Sequence, residues 1–277
     1  MLLALLVAGL NIGLWYVSNR PHGPINWQGD VHGFAFSPFQ RHQSPLTKSF
    51  PSDAQISADL ALLYHYSDRI RTYAALENPQ IPRLAHAAGM HMIAGAWLNA
   101  DAAHNASELQ ALITQAQRYP QTITQVMVGN EVLLRNDLSP HQLMAWLDRA
   151  RAAIRQPVST AEPWHIWEKY PELAQHVDFI TVHLLPYWEG VPRKDAIGDV
   201  LQRYTALQHL FPNKPILIGE IGWPSNGDRF EYAKPSTANE AIFLRQWMTV
   251  ARARGIDYFL MEAFDQPWKE ALGEGRV

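Results

Sequence analysis

A chain of 277 residues, 47% hydrophobic and 18% charged, can bury one large core, and its length suits a single α/β barrel better than two domains. The net charge is −3 and no basic run stands out, which argues against nucleic acid as a partner. There are no cysteines, so disulfides and thiolate chemistry are excluded.

Taken in chain order, Met1 to Val17 is almost wholly apolar, with Asn11 its only polar side chain. As a helix it would be about 26 Å long, close to the hydrocarbon core of a bilayer at about 30 Å. It has neither a charged leader nor an Ala-x-Ala cleavage site, so residues 1–20 read as a membrane anchor or signal-anchor. A buried helix of the globular domain is the other reading. Pro21, Gly23 and Pro24 mark 21–30 as a linker, and the remaining 31–277 as one catalytic domain.

From there strands and helices alternate. Residues 31–37 predict a first strand and 57–66 a helix; 70–73 predict a second strand and 83–88 a short helix that Gly89 ends. Residues 91–98 predict strand three, and 105–119 a helix with Asn105 as its N-cap. Residues 123–128 form strand four, which runs out into Gly129, Asn130 and Glu131. Ser139, Pro140 and Gln142 open the next helix by the capping-box rule. Strand five covers 158–161, a partly helical return 164–175, strand six 179–183 and a helix 196–210. Strand seven runs from Pro215 to Gly219 and Glu220. Thr237 to Glu240 read as a second capping box, heading a helix that Gly255 stops, and 258–263 as strand eight.

Eight strands with helical returns predict a (β/α)8 TIM barrel. A doubly wound open sheet is the alternative, but it wants a glycine-rich phosphate loop after strand one, and Gly33 to Ser37 is not one. No helix is predicted after strand eight. Either the last return is missing or the N-terminal segment covers part of that gap.

Active sites of such barrels lie at the carboxyl ends of the strands. Predicted there are Tyr73, Trp97, Asn130, Glu131, Glu162, His183, Tyr187, Trp188, Glu220, Trp223, Glu262, Asp265, Trp268 and Lys269. A lone strand-end Glu is more often a salt-bridge partner than a catalyst. Two of them, Glu131 and Glu220, within one polar and aromatic ring supply what acetal cleavage requires: a proton donor and a second carboxylate under the anomeric carbon. Glu131 is expected to be kept protonated by burial and by the charge of Glu220. Glu220 is expected to be the ionised nucleophile, oriented by Tyr187 or His183, and Asn130 to hold the sugar's 2-hydroxyl. Trp223, opening the turn after Glu220, is expected as a wall of the sugar site. The 12 His include no His-Glu-x-x-His and no calcium loop is present, so neither a metal nor a cofactor is expected, and the serine nucleophile elbow Gly-x-Ser-x-Gly is missing too.

Three segments together resemble glycoside hydrolase family 17, the β-1,3-glucanase and β-1,3-glucanosyltransferase family of clan A. They are Val128-Gly-Asn130-Glu131-Val, Ile218-Gly-Glu220-Ile-Gly-Trp223-Pro-Ser225-Asn and Met261-Glu262-Ala-Phe-Asp265-Gln-Pro-Trp268-Lys269. Ile70-Arg71-Thr72-Tyr73 is similar to the family's second-strand motif. The resemblance spans roughly 31–269 and is closer to the fungal and bacterial branches than to plant enzymes. It implies an eight-fold barrel, a retaining mechanism with Glu131 as acid/base and Glu220 as nucleophile, and sugar contacts from Tyr73, Asn130, Tyr187, Glu262 and Lys269. It also implies a β-glucan substrate, hydrolysis or glucanosyl transfer, and a membrane-tethered domain in the periplasm or outside the cell. Bacterial relatives are often fused to glycosyltransferases, and the family continues past strand eight, so the sequence is expected to be part of a longer chain or assembly. Two other readings stand beside this one: a non-catalytic glucan-binding module of an envelope glucan synthase, and a clan A hydrolase on another β-glycan.

Overall fold

The structure, a computed structural model, describes residues 2–18 and 26–272. Eight parallel strands close into a barrel in chain order, with β8 pairing back to β1 through Leu260 and Phe34. The strands are β1 (Phe34–Ala35), β2 (Arg69–Arg71), β3 (His91–Ala96), β4 (Ile123–Asn130), β5 (Val158–Pro163), β6 (Ile180–His183), β7 (Ile216–Ile221) and β8 (Tyr258–Leu260). Closure rules out the open doubly wound sheet. The TIM barrel expected from the alternation is the observed fold.

The surrounding helices are α2 (Asp53–Tyr64), α3 (Ile81–Ala87), α4 (Ala102–Arg118), α5 (Pro140–Ala153), α6 (Trp164–Lys169), α7 (Arg193–Leu210) and α8 (Thr237–Arg254). Their caps explain where they start and stop. Ser139 accepts from the backbone of Gln142, whose side chain returns the bond, and Pro140 sits at the first helical position, as the sequence predicted. Gly255 ends α8 in the left-handed region at φ 62°, which costs glycine nothing.

Two other caps differ from expectation. Asp101, not Asn105, caps α4, because a carboxylate accepts from the Ala103 and His104 amides one turn earlier. Asn105 is instead fully buried and bonded to the backbone of Asn99. Ser236, one residue before the predicted box, caps α8 through the Asn239 amide.

Alternation along the strands divides the core into two. Val126 and Val128 of β4 face the helices within the large cluster, while Met127 joins Ile93, Ala161, Phe179, Leu217 and Phe259 in a smaller cluster inside the barrel. The smaller cluster closes the barrel's middle. Within it Ser159 and Thr181 satisfy one another by a hydrogen bond, and the ionisable side chains gather where the strands end.

At the N-terminus, α1 (Leu2–Ser18) has 17 residues, and its side chains from Val7 to Tyr16 are exposed, so they do not belong to the barrel core. Among the described residues no helix is long and apolar enough to cross a membrane. The expected membrane span is therefore not supported. The linker expected over 21–30 lies partly outside the described residues. Among the described residues, β8 is followed by a 3-10 segment, Pro267–Leu272, and by no α-helix.

Candidate active site

Two strands deliver the carboxylates. β4 ends at Asn130, and Glu131 follows in the left-handed region at φ 54°, its N–H donating to Ala161 O of β5 at 2.7 Å. Gly129 precedes them at φ 88°, where a Cβ would meet Val132 Cγ2 at 2.7 Å, so the turn closes only around glycine. β7 delivers Glu220, with Gly219 before it; a Cβ there would meet Thr181 Cγ2 at 2.6 Å. The glycines ahead of both carboxylates are thus packing requirements.

The two acids meet across the barrel mouth at His183, the last residue of β6, which pairs in register with Glu220. Its Nδ1 lies 2.8 Å from Glu131 Oε1 and 3.4 Å from Glu220 Oε2. Facing two carboxylate oxygens, Nδ1 carries the hydrogen. An oxygen of each carboxylate and the ring nitrogen lie within 4.8 Å of one another.

Beneath them lies Arg71 of β2, with no exposed surface. It donates to Glu220 Oε1 at 3.0 Å, to Gly219 O at 2.9 Å and to Asn130 Oδ1. One guanidinium thus fixes the Glu220 carboxylate and turns the Asn130 amide so that its oxygen faces inward. The spacing of Glu131, His183 and Glu220 also suits a metal ion. Arg71 and Arg135 already supply positive charge to the two carboxylates, so the donor set is neutralised without one.

The charge state of Glu131 departs from expectation. Burial alone would raise its pKa, but the hydrogen bond and charge of His183, reinforced by Arg135 and Arg71, bring it below the ordinary carboxylate value. In the free site Glu131 is therefore ionised, not held protonated. A cleft of about 360 Å³ opens above the pair, lined on its far side by Pro163, His165, Trp188 and Glu189.

This barrel agrees with what known proteins show. Residues 33–277 match the BtgE/BtgC glycoside hydrolase domain. The chain belongs to that family. The kinship with glycoside hydrolase family 17 and the glycosidase class read from the sequence are borne out.

Among relatives of this glycoside hydrolase, a glucan 1,3-β-glucosidase of Saccharomyces cerevisiae is 28% identical over 242 residues, covering 79% of this chain and 77% of that protein. One from Schizosaccharomyces pombe is 31% identical over 232 residues, covering 76% and 72%. The crystal structure of a glycoside hydrolase family 17 β-1,3-glucanosyltransferase from Rhizomucor miehei superposes with a TM-score of 0.78 at 26% identity, covering 86% of this chain and 89% of that one. An active-site mutant of the Rhizomucor enzyme, in complex with laminaritriose, gives a TM-score of 0.77.

The glycosidase site gathers some of the other predicted residues and not others. Tyr73 brings a buried hydroxyl close to Glu220 and Glu262, and burial followed by those two charges raises its pKa. Lys269 pairs with Glu262 at 2.6 Å on the β8 side. Trp188, 40% exposed, lines the cleft. Tyr187 does not orient Glu220: its hydroxyl donates to Asp228 O at 2.5 Å, and its ring packs edge-on against Trp188 and Trp223.

Trp223 belongs to that layer. It is 3% exposed, its N–H donates to Lys234 O and it packs on Phe243 of α8, but it also lines a small pocket with Leu185, Trp188 and Met261, residues that line the cleft holding the two acids as well. Asp265 is exposed and sits near Glu240 of α8, whose pKa it helps burial to raise. Trp268 packs edge-on to Phe39 and donates to Gln266.

The parts played by Arg71 and Arg135 were missed. Arg71 stood in the second-strand motif, and inward projection from a strand end was the signal that could have singled it out.

Proposed function

We propose that this protein is a retaining glycoside hydrolase or transglycosylase acting on β-1,3-glucan, with Glu131 as acid/base and Glu220 as nucleophile. The observation that carries the reading is the approach of the two carboxylates, with oxygens within 4.8 Å. Retaining enzymes hold their carboxyl groups about 5–5.5 Å apart, whereas inverting ones leave about 6.5–9.5 Å for a water. The family and its named relatives supply the linkage.

Glu220, fixed by Arg71, attacks the anomeric carbon as Glu131 protonates the departing glycosidic oxygen. Glu131 is ionised in the free cleft, so it takes up that proton as the glucan displaces water and removes the solvent that favours its charge. In the second half Glu131, again a base, takes a proton from water or a glucan hydroxyl, which displaces Glu220. The Asn130 amide, with its oxygen held by Arg71, offers its N–H to the 2-hydroxyl. Tyr73, Glu262 and Lys269 contact the sugar beside Glu220, and Trp188 offers a ring face further along the cleft. His183 holds both acids. Trp223 is part of the wall beside Tyr187 and Trp188, and Asp265 and Trp268 support it from behind.

The domain would work in the cell envelope, outside the cytoplasm, as residues 31–277 joined through 21–30 to α1. An apolar helix whose side chains Val7, Leu10, Ile12 and Leu14 are all more than half exposed gains from contact with lipid or another apolar surface. Deleting residues 1–20 should release a soluble, active barrel from membranes; loss of folding would refute this. Laminarihexaose tests the activity itself. Shorter products identify water as the acceptor and longer ones a glucan; no products, or an inverted anomer by proton NMR, would overturn the reading.

A further inference from the structure

The reaction described above makes no use of one fully buried carboxylate at the barrel mouth. Glu162, in β5, has no exposed surface. Its Oε1 accepts from Leu133 N at 2.8 Å and its Oε2 from Leu134 N at 3.3 Å. Both donors belong to residues 131–138, a turn with no strand or helix of its own. That turn begins with Glu131 in a left-handed conformation, and Leu134 itself lines the cleft. Neither N–H has a backbone acceptor among the described residues, so without Glu162 two buried or half-buried donors are left over.

The neighbouring residue of β5 is part of the same device. Ala161 O receives the Glu131 N–H, and Glu162 takes the next two donors but one, so β5 grips the turn on both sides of the buried Val132. A carboxyl group offers an oxygen to each N–H in either charge state, because a protonated carboxyl can turn its hydrogen away and keep a lone pair, whereas the NH2 end of an amide has none to offer the Leu134 N–H. Two converging N–H groups call for two acceptor oxygens. A carboxylate here is costly to bury: burial and the charge of Glu131 push its pKa up to about 7, against the two N–H bonds that lower it.

We propose that Glu162 is the positioning residue of the proton donor, its carboxylate clamping the Leu133–Leu134 turn so that Glu131 stays in line with the glycosidic oxygen. This rests on the reading of Glu131 as the acid. The clamp acts on the carbonyl-to-carboxyl geometry of one residue and leaves Glu220, held separately by Arg71, untouched.

The test is leaving-group dependence. Glu162→Gln keeps the shape and removes one acceptor. On laminari-oligosaccharides, whose departing sugar needs a proton, kcat/KM should fall on the order of 10- to 100-fold. On a dinitrophenyl β-laminarioside, which leaves without one, kcat/KM should change by less than about threefold. That second value also reports a folded, competent site. Should Glu162→Gln fail to fold, Glu162→Asp, which keeps both acceptors on a shorter arm, carries the same comparison.

Equal losses on both substrates, or no loss on either, overturn the proposal. Glu131→Ala is the control. If it too shows no selectivity for the activated substrate, or the unmodified enzyme is inactive on both, then the assignment of Glu131 fails rather than that of Glu162.

Discussion

His183 Nδ1 lies 2.8 Å from Glu131 Oε1, and this hydrogen bond, together with the charges of His183, Arg135 and Arg71, lowers the acid's pKa against the effect of its burial. The acid must carry a proton to act, so activity should fall as pH rises through the Glu131 pKa. Replacing His183 by Asn or Ala removes the interaction that keeps the pKa low, and the alkaline limb of kcat/KM should move to higher pH, with a lower plateau. An unmoved limb would show that His183 does not govern Glu131.

Arg71 makes the second decisive contact, donating at 3.0 Å to Glu220 from a position with no solvent access. Removing one partner of a buried pair strands the other, at about 3–5 kcal/mol. Arg71→Met should lose stability of that order by urea unfolding and lower kcat at least about 10²-fold. Arg71→Lys should recover stability better than activity, since one ammonium cannot span Glu220, Gly219 and Asn130. Wild-type kcat in the lysine variant would remove the guanidinium geometry from the mechanism.

Much of the architecture was legible because it rests on local rules. The Ser139 capping box, the Gly255 stop and the alternation around Met127 each depend on residues within one turn or one strand. The pairing of Glu131 with Glu220 was legible only through the barrel, whose strand ends converge whatever lies between them. What was not legible depends on contacts across the fold. The protonation of Glu131 could not be read because His183, which reverses it, comes from another strand. Trp223 was expected as a wall of the cleft because it follows Glu220; it lies beside that cleft, but its indole N–H goes to Lys234 O and its ring packs edge-on to Tyr187, contacts that no local rule announced. Position in sequence places a residue near the site; only packing decides which way it faces.

Buried acids also predict how stability follows pH. Glu162 is raised from 4.5 to about 7, and Glu77 likewise, each chiefly by burial. Between those values the unfolded chain has released its proton while the native state still holds it. The native state therefore binds more protons there, and stability falls as pH rises from about 4.5 through 7. For Glu162 alone the fall is about 3 kcal/mol. Glu131 and Asp257, both lowered, act in the opposite sense, but only as pH falls below their ordinary values of 4.5 and 3.8. Thermal unfolding should accordingly give a higher Tm near pH 5 than near pH 8, with a flatter profile in Glu162→Gln. A Tm that rises across this interval contradicts the assignment.

The two carboxylates should separate by role under azide. Glu220 forms the covalent bond to the sugar, so Glu220→Gln should abolish turnover whatever the leaving group. Glu131 only moves protons, so Glu131→Ala should still form the glycosyl-enzyme from a dinitrophenyl glycoside and then stall, lacking a base to activate water. Azide needs no base; it should release the intermediate as a β-glycosyl azide, the configuration being inverted twice. In Glu220→Ala the cavity left by the carboxylate admits azide directly to the anomeric carbon, and a single inversion gives the α-azide. The anomeric proton coupling distinguishes the two products. A β-azide from the Glu220 variant, or an α-azide from the Glu131 variant, would reverse the roles, and full activity in either alanine variant would remove the pair from the reaction.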